Sequence, residues 1–317
     1  MSKLTFYPCG GFGLNVLAKF KREMARTENA KNANIYGIDF STNNLPEDGC
    51  FEVMTKQRGS GKYRGTNVDG IYEYVESFMT KYKPSEFNIV VFSTSGGSGS
   101  MLGPSVVRWL LMNNYPVVCL TLDDTTSDIE NENSVKTYMT LDNIRMEVNK
   151  PVIFHDISNK PNATRFETDL DVCTALNLLS LMLDDEHGEL DYEDISNFLN
   201  FSKVVKVNPL LSRITIFDQE AVKSYNGQAP VATLSMFSDK DSIKSCWFNA
   251  KYRATGVFKP ETILPKGMTE FHAILDYGDT VKEIMGRIED MKMRENNSKM
   301  ELGTVANIGS GNGGFVL

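Results

Sequence analysis

Ser93-Thr94-Ser95-Gly96-Gly97-Ser98-Gly99-Ser100 is the stretch that decides the fold. It follows an apolar, β-like run, Asn88-Ile89-Val90-Val91-Phe92, and leads into helix-like sequence at 105–112. Glycines in a strand-to-helix turn permit positive φ and let backbone N–H groups close on phosphate oxygens at the positive end of a helix. A second turn of this kind, Gly10-Gly11-Phe12-Gly13-Leu14-Asn15, follows Leu4-Thr5-Phe6-Tyr7-Pro8-Cys9. Taken singly, each reads equally well as a plain turn. Two in one sheet, the second with hydroxyls at Ser95, Ser98 and Ser100, point to a phosphate-bearing ligand. Neither reads G-x-x-x-x-G-K-[ST], so a Walker-type loop is excluded.

Further β-like runs at 34–39, 116–122 and 151–155 alternate with helical sequence. Continuous apolar strands separated by helices predict an α/β domain with a Rossmann-type parallel sheet covered on both faces. From 166 to about 187, Val172, Leu176, Leu179 and Leu183 recur at helical spacing with apolar residues on most sides, which predicts a long buried helix. Strands are expected at 203–207, 213–217, 231–237, 250–258 and 270–276, forming a smaller α+β domain. A last helix is expected at 280–295, with Val281, Ile284, Met285 and Ile288 inward and Glu283 and Arg287 as an exposed i,i+4 pair. The expected division is 1–165 for ligand binding, 166–188 for the central helix, 189–277 for an acidic loop and the smaller domain, and 278–317 for the last helix and a tail.

The 317 residues carry 33 Lys+Arg against 41 Asp+Glu, a net charge of -8. That balance argues against a basic nucleic-acid surface but not against an anionic small ligand held by amides. Five scattered cysteines (Cys9, Cys50, Cys119, Cys173, Cys246), never C-x-x-C, argue for a reducing compartment and against a zinc site. No apolar stretch reaches the ~20 residues of a membrane span. A cytoplasmic protein with no membrane or direct nucleic-acid partner is expected. His187 and His272 read as structural, and no serine or cysteine beside a histidine suggests a hydrolase triad.

Two further segments carry chemistry. Thr55-Lys56-Gln57-Arg58-Gly59-Ser60-Gly61-Lys62-Tyr63-Arg64 joins flexible glycines to cations that suit a terminal phosphate, or else forms a solvated hairpin tip. Glu189-Leu190-Asp191-Tyr192-Glu193-Asp194 sets two carboxylates three residues apart. Asp191 reads as the N-cap of a helix over 192–199, with Asp194 favouring its dipole. Alternatively the pair orients and polarises a water.

In order and spacing, the two glycine turns, the buried helix and the acidic loop resemble the tubulin/FtsZ superfamily, and most closely its bacteriophage tubulins. Ser95–Ser100 is similar to the signature loop GGGTGSG, and the acidic hexapeptide to the NxDxxD/E loop. The resemblance is plain over about residues 4–217 and thin beyond. It implies a GTPase that uses Mg²⁺ and polymerises head-to-tail into filaments, a spindle positioning phage DNA in the host cytoplasm. It places Gly10, Gly11 and Asn15 on the first phosphate loop and Gly96, Gly97, Ser98, Gly99 and Ser100 on the diphosphate. Arg58, Gly59 and Gly61 fall beside the γ-phosphate, Glu132 and Lys136 around ribose and base, and Asp169 on the base. Asp191 and Asp194 fall on the catalytic acids. This chain departs from the pattern at Ser95 (usually Gly), His155 (usually Asn, near the sugar) and Glu189 (usually Asn). Its loop around Arg58 is about one residue shorter than in the phage tubulins, and its last residues lack their acidic run.

If Asp169 meets the base, 22 residues of near-continuous helix separate it from Asp191, about 33 Å at 1.5 Å per residue. The acids then act on a nucleotide held by another copy, and such a heterologous contact propagates into an open filament. The end, Phe315-Val316-Leu317, is either frayed or a strap to the next copy. Two other readings stand beside this one. An NAD(P)-dependent oxidoreductase would use Gly11-Phe12-Gly13 and Asp39, although Val16 stands where a third glycine belongs. The other is a nucleotide-binding filament protein without hydrolysis.

Overall fold

The computed structural model describes residues 3–308 except 65–69, 125, 160–161, 244–248, 266 and 277–278, and side chains as far as residue 294. The expected tail contact through Phe315, Val316 and Leu317 lies outside the described residues. In chain order the elements are β1 (Leu4–Pro8), α1 (Gly10–Lys19), α2 (Glu28–Lys31), β2 (Asn34–Asp39), β3 (Glu52–Thr55) and α3 (Ile71–Lys81). There follow β4 (Phe87–Ser93), α4 (Gly99–Met112), β5 (Val117–Asp123), α5 (Asp128–Val148), β6 (Val152–Ser158) and α6 (Arg165–Met182). The chain continues with α7 (Tyr192–Leu199), β7 (Leu211–Asp218), β8 (Ala232–Phe237), β9 (Tyr252–Val257), β10 (Phe271–Leu275) and α8 (Asp279–Ile308).

Among the described residues the strands form one 10-stranded sheet in the order β3-β2-β1-β4-β5-β6-β7-β10-β8-β9. The strands from β3 to β7 are parallel; β10 runs antiparallel to β7 and β8, and β9 is parallel to β8. The half 3-2-1-4-5-6 repeats the order of doubly wound dinucleotide-binding folds, whose ligand crevice opens where the winding reverses, between β1 and β4.

Alternate residues of the central strands serve two cores. Ile89 and Val91 pack with Leu176, Leu179 and Met182 of α6, whereas Val90 and Phe92 join Phe78, Leu102, Val106 and Leu141 of α3, α4 and α5. That is why these strands read as unbroken apolar runs: both faces are covered. Thr164 caps α6 in a reciprocal box with Glu167, and the buried positions begin at Val172. Ile284 brings α8 onto the second core.

Several expectations are corrected. The segment expected as a strand at 203–207 is a turn that follows a short 3₁₀ turn, Phe201–Lys203. The central helix stops at Met182, short of the expected end near 187, because Leu183 to Gly188 turn back to form a bridge between Gly188 and Val257. The last helix runs beyond 295 to Ile308, and the 21-residue α5 is a helix whose polar positions hide its period in the sequence. Glu283 and Arg287 do not pair with each other: Glu283 binds Arg213, and Arg287 binds Asp123.

Candidate functional site

The two glycine turns lie on neighbouring strands at the reversal point and touch. Gly10 opens α1 with φ +72°, and a Cβ there would sit 2.6 Å from the backbone nitrogen of Gly99. A side chain at position 10 would therefore push the two turns apart, so only glycine lets their amides face one crevice. Gly11 lies against Asn44, and Asn15 is exposed with its side-chain amide donating to Gly11 O at 2.8 Å. Across the crevice, Ser98 precedes the first turn of the 14-residue α4, whose unpaired N–H groups make it an anion-favouring end. Ser100 Oγ donates to Gly97 O at 3.2 Å and tightens the turn. The Ser95 hydroxyl is buried and shares a 2.9 Å hydrogen bond with Ser93, so the side chain that replaces glycine is turned into the protein. Gly96 lies beside Ser93.

The cationic loop folds over this turn. A Cβ on Gly97 would meet Ser60 Oγ at 2.0 Å, and Ser98 Oγ donates to Ser60 Oγ at 3.3 Å. Arg58 and Gly59 are exposed, and Gly61 turns the chain with φ +56°. Asn133 of α5 donates to the carbonyls of Lys62 (2.9 Å) and Ser95 (3.0 Å), stitching loop and turn together. Lys62 pairs with Glu130 at 2.6 Å; that bond, with a second from Ser127, holds the Glu130 carboxyl down to about 2.

Arg64 was not singled out from the sequence, yet it is built into the site. Pro104 has no N–H, so the Ser100 carbonyl one turn earlier loses its helical donor. Arg64 Nη1 supplies one at 3.0 Å and also bonds Thr137 Oγ1, while its burial lowers the guanidinium to about 10. A proline at the fourth position after the turn's last serine was the available signal.

Near the start of α6, Asp169 forms an ion pair with Lys19 at 3.2 Å, and the Lys19 ammonium lies 4.5 Å over the Phe166 ring. Phe166 is 63% exposed, an aromatic face one helical turn before Asp169 that sequence reading passed over. Glu132 and Lys136 pair with each other along α5. His155 Nδ1 lies 2.9 Å from the Ile214 carbonyl, so its ring is occupied at the β6–β7 junction. Asp39 is fully buried, accepting from its neighbour's N–H at 2.7 Å and from Asn44 at 3.1 Å, which leaves no acid for the ribose of a dinucleotide.

Asp191 and Asp194 are not brought into this crevice. Asp191 is the N-cap of α7 in a reciprocal box with Asp194, and Asp194 also accepts from the Tyr252 hydroxyl at 3.3 Å. Burial, then the Asp194 charge, pushes the Tyr252 hydroxyl up to about 12. The Tyr192 ring packs 5.3 Å from Phe87, the first residue of β4, while the glycine turn leaves the last, Ser93. At 3.3 Å per residue the acids and the turn therefore lie at opposite edges of the sheet, about 20 Å apart along this strand. The Lys3–Asp185 ion pair, at the start of β1, places the neighbouring loop on the same far edge. Glu189 adopts φ +61° and pairs with Lys240.

No three His, Cys, Asp or Glu side chains among the described residues cluster as a metal site, and no described helix is long and apolar enough to cross a membrane.

Residues 190–275 match the family described as phage tubulin-like protein, C-terminal domain. A phage tubulin-like protein of Pseudomonas phage PhiPA3 is 29% identical over 245 residues, covering 75% of this chain and 73% of that protein. A second, from Pseudomonas phage phiKZ, is 25% identical over 309 residues, 95% of this chain and 92% of the relative. The fold is shared with the TubZ protofilament of bacteriophage PhiKZ (TM-score 0.81, 24% identity, 95% of this chain and 93% of that one). It is shared equally with the GDP complex of the phage tubulin PhuZ (TM-score 0.82, 21% identity, 95% and 93% covered). Touching glycine turns at a sheet reversal, a buried helix behind them and an acid-capped helix at the far edge thus accompany a similarity to the phage tubulin-like proteins, in sequence over most of the chain and in fold.

Proposed function

We propose that this protein binds GTP in the crevice between its two glycine turns and hydrolyses it only where two copies meet head-to-tail in a filament. The observation that carries this is the placement of Tyr192 against Phe87: the acids stand at one edge of the sheet and the phosphate turns at the other. No side chain spans that distance, so Asp191 and Asp194 of one copy reach a nucleotide held by the next. In that contact the carboxylates place and polarise the attacking water, while amides of the turns hold the phosphates. Gly10, Gly11, Gly96, Gly97, Ser98, Gly99 and Ser100 line the phosphates, the loop of Arg58, Gly59 and Gly61 covers the γ-phosphate, and Asp169 with Phe166 receives the base. Mg²⁺ bound with the nucleotide would neutralise phosphate charge. As a hard cation it would keep several of its waters and take its other oxygens from the phosphates, with Ser98 the hydroxyl of the turn left to assist.

Loss of the γ-phosphate frees the loop that rests on Gly97 and weakens the contact, an order–disorder switch. Filaments of this kind, in the cytoplasm of a host cell, are the basis of the DNA-positioning role implied by the family resemblance. The mutual capping of Asp191 and Asp194 favours a second reading, in which the carboxylates are structural and the filament binds nucleotide without turnover. Phosphate release measured across protein concentration separates the two, with negative-stain microscopy in GTP and GDP. The first reading expects filaments and a rate per subunit that climbs steeply at assembly; full turnover by dilute monomers overturns it, and filaments without phosphate release establish the second.

A further inference from the structure

Arg287 stands on α8, far in sequence from either glycine turn, yet one carboxylate links it to the second of them. Its Nη1 donates to Asp123 Oδ2 at 2.9 Å, and its Nε and Nη2 donate to Asn131 Oδ1 at 3.1 and 2.7 Å. The other oxygen of Asp123, Oδ1, accepts from Thr94 at 3.2 Å and from Ser134. Thr94 is the root of the signature turn: its N–H donates to Leu122 O at 2.9 Å, its carbonyl accepts from Thr137 at 2.8 Å, and Ser95 follows directly. Thr94 and Ser134 are fully buried, so the hydroxyls have no water to turn to. Asp123 is only 12% exposed and Arg287 25%, which makes this pair stronger than a surface one and costly to leave half-made.

We propose that Arg287 is a positioning residue for the nucleotide turn, and that docking of α8 and occupation of the crevice are thermodynamically linked through Asp123. With Arg287 in place, Asp123 is fixed from both sides and Thr94 is held where the turn's amides converge. Without it, the carboxylate is free to rotate toward water and release Thr94 and Ser134. Linkage is reciprocal: if a docked α8 favours the nucleotide-ready turn, a bound nucleotide favours a docked α8 by the same factor. The inference rests on the nucleotide-binding reading above.

Hydrogen exchange of the full chain with and without GDP tests both, because the two regions report separately. The expected result is GDP-dependent protection of residues 93–100 and of α8 around Arg287. Arg287→Ala should abolish the α8 response and raise the GDP Kd by about fivefold or more. Glu283→Gln removes another ionic tie of α8, to Arg213, without touching Asp123. It should loosen α8 while leaving the GDP Kd within about twofold, an outcome that a merely structural role for α8 would not give. Protection of 93–100 with no response in α8, or equal effects of Arg287→Ala and Glu283→Gln on Kd, overturns the inference and leaves nucleotide binding intact. Absence of protection at 93–100 overturns the binding reading and this inference with it. Should Arg287→Ala fail to fold, the α8 response of the unmodified protein still decides.

Discussion

Asp191 accepts the backbone N–H of Asp194 at 2.9 Å, and Asp194 returns a bond to the N–H of Asp191 at 3.4 Å. The same two oxygens are candidates for water activation, and Asn at position 191 separates the roles because it caps as well as Asp but carries no charge. Asp191→Asn should leave the denaturant midpoint nearly unchanged and slow GTP hydrolysis about 100-fold or more. Asp191→Ala should also destabilise the protein, by about 1 kcal/mol. If Asp191→Asn hydrolyses GTP at the parent rate, the carboxylate serves the cap alone.

Gly10 has both a left-handed φ of +72° and no room for a Cβ beside Gly99. Gly10→Ala should cost about 2 kcal/mol or more of stability and abolish GDP binding by opening the crevice. Calorimetric unfolding and a fluorescent-nucleotide titration measure the two effects.

Glu189 holds φ +61°, a conformation that Asn tolerates better than Glu. Its partner Lys240 is 71% exposed, so losing that ion pair costs little. Glu189→Asn should therefore raise stability by about 0.5–1 kcal/mol, read as a higher urea midpoint. A lower midpoint would mean that the Lys240 contact matters more than the backbone strain.

The Glu130 carboxyl is lowered to about 2, first by its bond to Lys62 and then by Ser127. A depressed acid contributes stability above its unfolded pKa, about 4.3, and loses it as pH falls towards 2. Amide exchange in residues 58–64 should thus accelerate on acidification over that range after correction for intrinsic rates, and Glu130→Gln should make the loop equally open at pH 6. The effect should shrink in high salt, since Lys62 is largely exposed.

The local chemistry of the chain determined a great deal. Unbroken apolar runs ending in glycine dictated a covered parallel sheet with glycine turns at its strand ends, and Asp191 announced a helix over 192–199 that the structure reproduces residue for residue. These features were legible because strand period, turn glycine and helix cap each act within a few residues. Tertiary structure alone decided that Gly10 meets Gly99, that Arg64 replaces the donor Pro104 lacks, that Tyr192 sits under the start of β4, and that Arg287 turns from Glu283 to Asp123. Each joins residues dozens to more than a hundred positions apart, and side-chain periodicity records which face is buried but not what covers it.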